Sequence, residues 1–302
     1  MSLEQQLREL QENKEISHSG LVQFSGLGPE ETRLVSRYWP EIPARVRLSI
    51  VERLVQLAED NVELDFSVLF KLWLRDSDPQ VRERAIAGLW ECEDRTLIQR
   101  LVELLQGDPS VQVRAAAAMG LGKFSLMAAE EKLLVKYRER VEAALLTVLA
   151  QPDGAREVRR RALEALAPLN TPEVQRFIQQ AYEAPYPELR SSAVYSMGRS
   201  ADPRWFPLLA KELKSPDPAM RYEAAQACGE LGNPEAVPFL APLIKDEDYQ
   251  VQLAAIQACG RIGGRQARRL LQAQLPSADE GIEEAVSEAL REMDIEEDVL
   301  RP

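Results

Sequence analysis

Apolar and polar positions along this chain recur with a period of 31 residues over much of its length. The tetrapeptide Gln-Ala-Cys-Gly, for example, occurs at 226–229 and again at 257–260. One residue in each copy, usually an arginine, serves here as the marker of the repeat. The eight markers are Arg47, Arg82, Arg114, Arg159, Arg190, Arg221, Gln252 and Glu283. The pattern predicts eight copies of one structural unit from about residue 25 onward.

Each marker begins a stretch with helical periodicity, because apolar residues follow it at spacings that place them on one face. The third residue after the marker is small or aliphatic: Ile50, Ala85, Ala117, Ala162, Ala193, Ala224, Ala255 and Val286. The seventh is Leu54, Leu89, Leu121, Leu166, Met197, Cys228, Cys259 and Leu290. Alanine at the most crowded position predicts a close approach of neighbouring helices. Glycines eight residues after the marker (Gly122, Gly198, Gly229 and Gly260) are expected where this helix ends or kinks.

A second helix precedes the marker in each unit, and its start is indicated by a capping residue followed by proline. Thr171-Pro, Asp202-Pro and Asn233-Pro are again 31 residues apart. Aspartates stand six or four residues before the marker, at Asp76, Asp78, Asp108, Asp153, Asp217, Asp246, Asp248 and Asp279. We expect them to cap the marker helix and to pair with marker arginines of the same or the adjacent unit.

The unit Asp-x-x-x-Val-Arg-x-x-Ala-x-x-Ala-Leu-Gly-x-Leu-Gly-(Asn/Asp)-Pro closely resembles HEAT repeats, in particular the short type also found in phycobilisome lyase subunits. The resemblance implies an all-α fold: a right-handed α-solenoid, or alpha-alpha superhelix of the armadillo type, with about eight HEAT-like helical pairs. We predict an N-terminal helical arm over 1–24 and the repeat solenoid over 25–302.

Two segments depart from the repeat. The gap between Arg114 and Arg159 is 14 residues longer than the period, and apolar residues at helical spacing predict a long inserted helix near 128–150 whose start projects from the stack. At the C-terminus, 279–298 holds ten acidic residues and one arginine. This segment is expected to form the solvated cap of the last repeat, with a weakly ordered tail after about Met293.

Charge and composition exclude several classes of function. The chain has a net charge of −12, and Glu83, Glu164, Glu223 and Glu284 lie on the arc that would have to contact DNA, so nucleic-acid binding is disfavoured. The densest basic cluster, 156–161, places Arg160 and Arg161 on an exposed arc, where they could reach an acidic partner. No apolar segment has the length of a signal peptide or a membrane helix, which predicts a cytoplasmic protein that does not bind membranes.

Candidate chemistry is sparse. The chain contains one histidine, His18, so it cannot supply the repeated His-Glu pairs with which HEAT-like hydroxylases bind iron. His18 is expected to be an exposed surface residue. Cys228 and Cys259 occupy a core position of the repeat and are expected to be buried thiols, about one helix spacing apart and so not joined in a disulfide. We predict no metal, no cofactor and no catalysis.

The sequence therefore favours a non-catalytic scaffold or adaptor that binds a protein partner on the concave face of the solenoid. The alternative is a subunit of an enzyme complex, such as a bilin-lyase-like chromophore-attachment factor. Exposed positions are expected one, two, five and nine residues after the marker. Those proposed to bind the partner are Tyr195, Arg199, Tyr222, Gln226, Leu253, Gln257 and Arg261. The same rule exposes Ser191, Ser192, Glu223 and Ala254. The rival site is the start of the long helix, with Leu133, Leu134 and Tyr137.

Overall fold

A computed structural model of the protein describes residues 2–12, 16–151, 153–275 and 280–299, with side chains described as far as residue 295. Every regular element within these ranges is helical. The chain divides into two compact units, Met1–Ala165 and Leu166–Pro302.

The first unit contains ten helices in its described residues, together with a 3₁₀ turn at Trp39–Glu41. They are α1 Leu3–Gln11, α2 His18–Val22, α3 Pro29–Tyr38, α4 Ala44–Asp60, α5 Ser67–Trp73, α6 Pro79–Ala87, α7 Thr96–Gly107, α8 Val111–Ala129, α9 Val135–Leu149 and α10 Arg156–Leu166. The last of these ends at the boundary of the unit.

The second unit contains eight more helices in its described residues. They are α11 Pro172–Glu183, α12 Pro187–Arg199, α13 Phe206–Glu212, α14 Pro218–Leu231, α15 Val237–Leu240, α16 Tyr249–Ile262, α17 Gly264–Gln272 and α18 Glu280–Val299. Short 3₁₀ turns lie at Ala167–Leu169, Pro203–Trp205, Pro234–Ala236 and Ala241–Lys245.

The helices follow the predicted repeat. From α3 to α18 they form successive pairs, and each marker residue lies in the second helix of its pair, from Arg47 in α4 to Glu283 in α18. Within each unit, consecutive second helices pack against each other, as α12 does on α14 and α14 on α16. The predicted all-α solenoid class is confirmed.

The segment predicted as an N-terminal arm contains α1 and α2, which pack on the first helical pair. Leu7 and Leu21 are fully buried, and the hydroxyl of Tyr38 donates to Oε1 of Glu4 at 2.7 Å. Residues 13–15 of this segment lie outside the described residues. The boundary at residue 24 stays a prediction.

Close packing of the second helices rests on small residues at two repeat positions. All six alanines three residues after the marker, including Ala193 and Ala224, have no exposed surface. Gly198, eight after its marker, lies so close to α14 that a Cβ there would stand 2.6 Å from Cα of Ala227. These glycines were expected where the helix ends or kinks. Gly198 does lie one residue before the end of α12, whereas α14 runs past Gly229 to Leu231 and α16 runs past Gly260 to Ile262. Their role is close approach, since a side chain would force the helices apart.

We expect Ala224→Leu to destabilise the protein by about 1–3 kcal/mol, because the added methylenes have no space between the packed second helices. Ala219→Leu is the matched control, since Ala219 lies on the same helix α14 and is exposed. Urea unfolding followed by circular dichroism measures both. Equal midpoints for the two variants would show that position 224 is not crowded.

The start signals of the helices are confirmed. The side chain of Thr171 accepts a hydrogen bond from the backbone amide of Val174. The side chains of Asp202 and Asn233 accept from the backbone amides of Arg204 and Glu235. Aspartates four residues before the marker cap the second helices in the same way, as Asp217 does at α14. Asp279 lies outside the described residues.

Aspartates six residues before the marker instead join one repeat to the next. The guanidinium of Arg82 donates to both carboxylate oxygens of Asp108 at 2.8 Å and to the carbonyl of Asp76 at 2.7 Å. Arg221 repeats this arrangement with Asp246, at 2.7 Å for both bonds. Arg82 and Arg221 therefore each hold the turn of their own repeat and the aspartate of the following one, as predicted, whereas the marker Arg190 pairs with Glu212 instead. Such bidentate pairs combine charge with fixed geometry.

This pairing makes stability depend on pH. Hydrogen bonds from Arg221 hold the pKa of Asp246 below its ordinary value, so the folded state binds the proton less readily than the unfolded state. The stabilisation is complete above the unfolded pKa of about 4 and is lost as pH falls through the lower folded pKa.

We expect Asp246→Asn to lower the urea midpoint near neutral pH and to converge with the wild type in acid, below about pH 4. Glu235→Gln is the control, because Glu235 is an exposed carboxylate in the same unit. A difference between wild type and Asp246→Asn that stays constant down to about pH 3 would rule out the ionised pair as its cause.

The continuous helix predicted near 128–150 is wrong. Helix α8 ends at Ala129, and α9 begins only at Val135. Glu131 adopts a left-handed conformation with φ of +60°. Its amide donates to the carbonyl of Ala128, and the amide of Lys132 donates to that of Met127 at 2.8 Å. This bonding is a Schellman motif, which ends a helix. Because glutamate occupies the position usually taken by glycine, the sequence carries no stop signal.

The C-terminal helix has the burial pattern expected of a cap, and its capping role stays a prediction. Ile282, Val286, Ala289 and Met293 face inward and are buried, while the acidic residues between them are exposed. Helix α18 continues to Val299, and the weak order expected after about Met293 stays a prediction. Residues 300–302 lie outside the described residues.

Candidate functional site

The seven residues predicted to bind a partner lie on α12, α14 and α16 in the second unit, and we call them the second-helix surface. Tyr195 is 41% exposed, and Gln257 and Arg261 are also exposed. The other four, Arg199, Tyr222, Gln226 and Leu253, are half-buried.

The helical repeat aligns these residues in three rows. Tyr195 and Arg199 are four residues apart on α12, and Tyr222 and Gln226 have the same spacing on α14. Leu253, Gln257 and Arg261 continue it on α16. Residues four apart lie one turn above each other on a helix face, so each row runs along the outer side of its helix. Since α14 packs between α12 and α16, the three rows lie side by side.

A hydrogen-bond network joins the rows around Glu230, which follows Gln226 on α14. One carboxylate oxygen of Glu230 accepts from Arg199 at 3.1 Å and the other accepts from Arg261 at 2.8 Å. Arg261 also donates to the amide oxygen of Gln226 at 3.3 Å, and the amide nitrogen of Gln226 donates to Gln257 at 3.2 Å. Four of the seven predicted residues are therefore brought into one network with Glu230.

Sequence reasoning missed Glu230, although a signal for it exists. Glu230 stands nine residues after its marker, at the repeat position that Arg199 and Arg261 occupy in the neighbouring repeats. The sequence Arg, Glu, Arg at one position in three successive repeats indicates an ion-pair row across the helices. Because the arginines are paired with Glu230, they are not free positive charges on this surface.

Two residues expected to be exposed are buried. Ser192 is 1% exposed, and its hydroxyl donates to the carbonyl of Glu188 at 3.1 Å. Ala254 is fully buried. Both stand two residues after the marker, so in these repeats that position faces a packed neighbour. Ser191, one after the marker, is half-buried.

The rival site is reshaped by the break between α8 and α9. Leu133 is 8% exposed and belongs to the core, whereas Leu134 is 60% exposed. Tyr137 is half-buried, with the ammonium of Lys136 4.8 Å from its ring centre. Val135, which the prediction did not name, is 67% exposed and extends the apolar surface beside Leu134.

Helix α8 and the turn after α6 in the first unit also expose apolar side chains that sequence reasoning missed. Met119 on α8 stands five residues after its marker, where Tyr195 stands in its own repeat, and is 55% exposed. Trp90 stands eight after its marker, where later repeats have glycine, and is 74% exposed. Comparison of the repeats position by position would have found both.

The remaining chemical candidates have structural explanations. Cys228 and Cys259 are fully buried and unpaired, and burial raises the pKa of both thiols to about 12, so neither is a reactive thiolate. His18 is exposed, as expected. Among the described residues, no cluster of three or more histidine, cysteine or acidic side chains is placed to hold a metal ion.

Two arginines of the basic cluster at 156–161, Arg160 and Arg161, pair with acidic residues of their own helix. Glu157 accepts hydrogen bonds from Arg160 and Arg161 at 2.9 Å each, and Arg161 also pairs with Glu164 at 2.9 Å. The positive charge that the sequence placed on an exposed arc is thereby offset.

Fold and surface together define an α-helical repeat protein whose candidate site is a surface of aligned second helices. The chain belongs to the HEAT-repeat family: the family's sequence pattern matches residues 66–138, 142–211 and 206–291, which is well over half of the chain. The family predicted from the repeat unit is confirmed.

Solved structures with similar folds have little sequence similarity to this chain. The complex of CpcE and CpcF of phycocyanin lyase from Nostoc sp. PCC7120 is 17% identical with a TM-score of 0.57, and the match covers 93% of this chain and 95% of that one. Human deoxyhypusine hydroxylase is 18% identical, covers 97% of each chain and has a TM-score of 0.39. At 17% identity the likeness to the CpcE–CpcF complex shows the fold alone.

No curated protein sequence matches the chain. Within the described ranges, no helix combines the length and apolar character needed to cross a membrane.

Proposed function

We propose that the protein is a non-catalytic cytoplasmic scaffold that binds a partner protein on the second-helix surface. The observation that carries this proposal is the network around Glu230, which joins three successive helices beside the exposed ring of Tyr195. HEAT-repeat chains serve many roles, so the argument for function has to rest on the surface itself.

The network favours a binding role over a purely structural one. The side chains of Arg199, Glu230 and Arg261 are 30%, 34% and 44% exposed. Ion pairs as exposed as these contribute only about 0–1 kcal/mol to folding. Their effect is to hold long side chains in fixed positions. A partner that binds such an ordered surface loses less side-chain entropy than one that has to order it.

The anchor residues are Tyr195, Tyr222 and Leu253. Tyrosine offers a large contact area with a hydroxyl at its end, which is why binding hot spots are rich in it. The paired charges around these residues suit the polar rim that surrounds the buried centre of an interface. A partner surface with an apolar centre and hydrogen-bonding groups around it would complement this arrangement.

The proposal is tested by alanine substitution once a partner has been identified by affinity capture with the wild-type chain. We expect Tyr195→Ala and Tyr222→Ala to weaken binding by about 1–3 kcal/mol each, without a change in thermal stability for the exposed Tyr195. Isothermal titration calorimetry with purified components gives the affinities.

The matched control is the double variant Leu134→Ala/Tyr137→Ala at the rival site, which should bind with wild-type affinity. Full affinity in the Tyr195→Ala/Tyr222→Ala variant, combined with lost affinity in the Leu134→Ala/Tyr137→Ala variant, would move the site to the start of α9.

A second candidate function is a subunit of an enzyme complex of the bilin-lyase type. The correspondence with the CpcE–CpcF complex over 93% of this chain and 95% of that one favours it. Mixing the purified protein with a bilin and recording the visible spectrum separates the candidates. A spectral shift that saturates with protein concentration supports the lyase-type role, whereas an unchanged spectrum favours the scaffold.

A further inference from the structure

A second surface in the same unit differs from the second-helix surface in both position and chemistry. An open groove of about 940 Å³ lies where the turn before α12, helix α13 and the turn before α14 meet, with α15 at one end. A smaller hollow of about 480 Å³ adjoins it, and the two share Lys214 and Phe239. None of the residues proposed to bind the partner lines either space.

The wall of the groove is apolar and stiff. Four prolines from three different segments line it: Pro185, Pro187, Pro207 and Pro216. Because the proline ring fixes the backbone φ angle, these turns have little freedom to lose when a ligand binds. Phe239 is half-buried and packs edge-on against Phe206, with ring centres 5.6 Å apart. The groove therefore offers a preformed apolar contact surface.

The carboxylates of the groove are already engaged. Glu212 is 2% exposed, and it accepts hydrogen bonds from Arg190 and from the hydroxyl of Tyr182. Asp217 caps α14 by accepting from the amide of Ala219 at 3.0 Å. In the adjoining hollow, the carboxylate of Asp246 accepts hydrogen bonds from Nε and Nη2 of Arg221.

Two ammonium groups of the groove, by contrast, lack a carboxylate partner among the described residues. Lys211 is exposed, with its ammonium 5.8 Å from the ring centre of Tyr182. Lys214 is also exposed, and its ammonium lies 5.4 Å from the ring centre of Phe239. Both ammonium groups therefore lie within cation–π distance of an aromatic ring. The lining of the groove holds three basic side chains (Arg190, Lys211 and Lys214) and two acidic ones (Glu212 and Asp217), so it carries a net positive charge in a chain whose net charge is −12.

We propose that this groove binds an extended acidic segment of a partner protein. Apolar side chains of the segment would contact Phe239 and the proline walls, and its aspartate or glutamate side chains would pair with Lys211 and Lys214. Electrostatic complementarity of this kind selects the partner and speeds its association more than it adds affinity. The proposal is independent of the second-helix surface, because the two share no residue.

The test uses a short fluorescein-labelled peptide in which glutamate alternates with leucine, and a matched peptide with lysine in place of glutamate. Fluorescence anisotropy at about 0.15 M salt should show saturable binding of the acidic peptide alone, and the binding should weaken as salt is raised. Lys211→Glu/Lys214→Glu should reduce the affinity about tenfold or more, since two attractive contacts become repulsive.

Lys245→Glu is the matched control. Lys245 is an exposed lysine seven residues before its marker, as Lys214 is, and it lies outside the lining of the groove. The Lys245→Glu variant and the Tyr195→Ala/Tyr222→Ala variant should both bind the acidic peptide as the wild type does. Wild-type peptide binding by the Tyr195→Ala/Tyr222→Ala variant would show that the groove acts independently of the second-helix surface, so that either proposal can fail without the other.

Three results would overturn the proposal. They are equal binding of the acidic and basic peptides, equal loss of affinity in Lys245→Glu and Lys211→Glu/Lys214→Glu, and no saturable binding by the wild type. Sedimentation equilibrium identifies a further alternative. If the wild type forms dimers that Lys211→Glu/Lys214→Glu abolishes, the occupant is a second copy of this chain and not an acidic partner.

Discussion

Replacement of Arg82 by alanine should lower the free energy of unfolding by about 3–5 kcal/mol. Arg82 and Asp108 are each 8% exposed, and two hydrogen bonds of 2.8 Å join them. Loss of the guanidinium leaves the carboxylate of Asp108 buried without its counter-charge and leaves the carbonyl of Asp76 without a donor. A loss of this size is a large fraction of the stability of an ordinary domain.

Arg84→Ala is the matched control for this prediction, because Arg84 lies on the same helix α6 and also has an acidic neighbour. Its contact with Glu52 is 3.7 Å long, and both side chains are about half exposed, so its removal should cost about 0–1 kcal/mol. Urea unfolding measures both variants. Similar losses for Arg82→Ala and Arg84→Ala would mean that the pairing between repeats does not stabilise the stack.

A double variant identifies the cause of the loss. Asp108→Asn in the Arg82→Ala background removes the uncompensated charge, so the double variant should lose clearly less than the sum of the two single losses. If the stability losses of the two single variants add up to that of the double variant, the effect of Arg82→Ala comes from the lost packing of its side chain.

Deletion of α18 should cause the second unit to aggregate. Val286 is fully buried in α18, and Ile282, Ala289 and Met293 are at most 6% exposed. A chain that ends after α17 loses these contacts, which are worth about 1.5–3 kcal/mol for each large apolar side chain. The deletion also uncovers the face of α16 against which they pack. An uncapped repeat exposes an apolar surface, which is why solenoids need a polar terminal repeat.

Size-exclusion chromatography with light scattering measures this outcome. A shorter deletion of residues 296–302 keeps all four buried residues and should leave a monomer with the wild-type melting temperature. If the chain without α18 is also monomeric and melts at the same temperature, the last repeat is not a cap.

Most of the fold could be predicted because each structural position of the repeat occurs several times in the sequence with the same type of residue. The alanine three residues after the marker is buried in six repeats, and no single position would have been as informative. The aspartates were expected both to cap the marker helix and to pair with the arginines, and the structure divides these two roles between the two spacings. Periodicity of residue type thus predicted the helices, their packing and their connections.

The features that could not be predicted are those that do not recur from one repeat to the next. Helix α8 ends through a left-handed Glu131, and glutamate carries no signal for that conformation. Ser192 resembles a surface residue by type, but its burial depends on how closely the neighbouring helix approaches. The groove beside Lys211 forms from turns of different repeats, so no single repeat contains it.

The candidate site was predicted in part. The seven residues of the second-helix surface lie on adjacent helices as expected, but the sequence did not reveal that Glu230 joins four of them. Ion pairs between helices depend on side-chain reach and helix offset, which a list of exposed positions does not contain. The exposed Trp90 was missed for a simpler reason, because it replaces a glycine and breaks the repeat.

Site-specific photo-crosslinking tests the central claim of partner binding most directly. A photoreactive phenylalanine analogue placed at position 195 of the full chain is irradiated in an extract of the native cells, and the same analogue at position 134 serves as the comparison. Binding on the second-helix surface predicts one crosslinked polypeptide of defined mass from position 195 and none from position 134. The same polypeptide crosslinked from position 134 and not from position 195, or no crosslink from position 195, would contradict it.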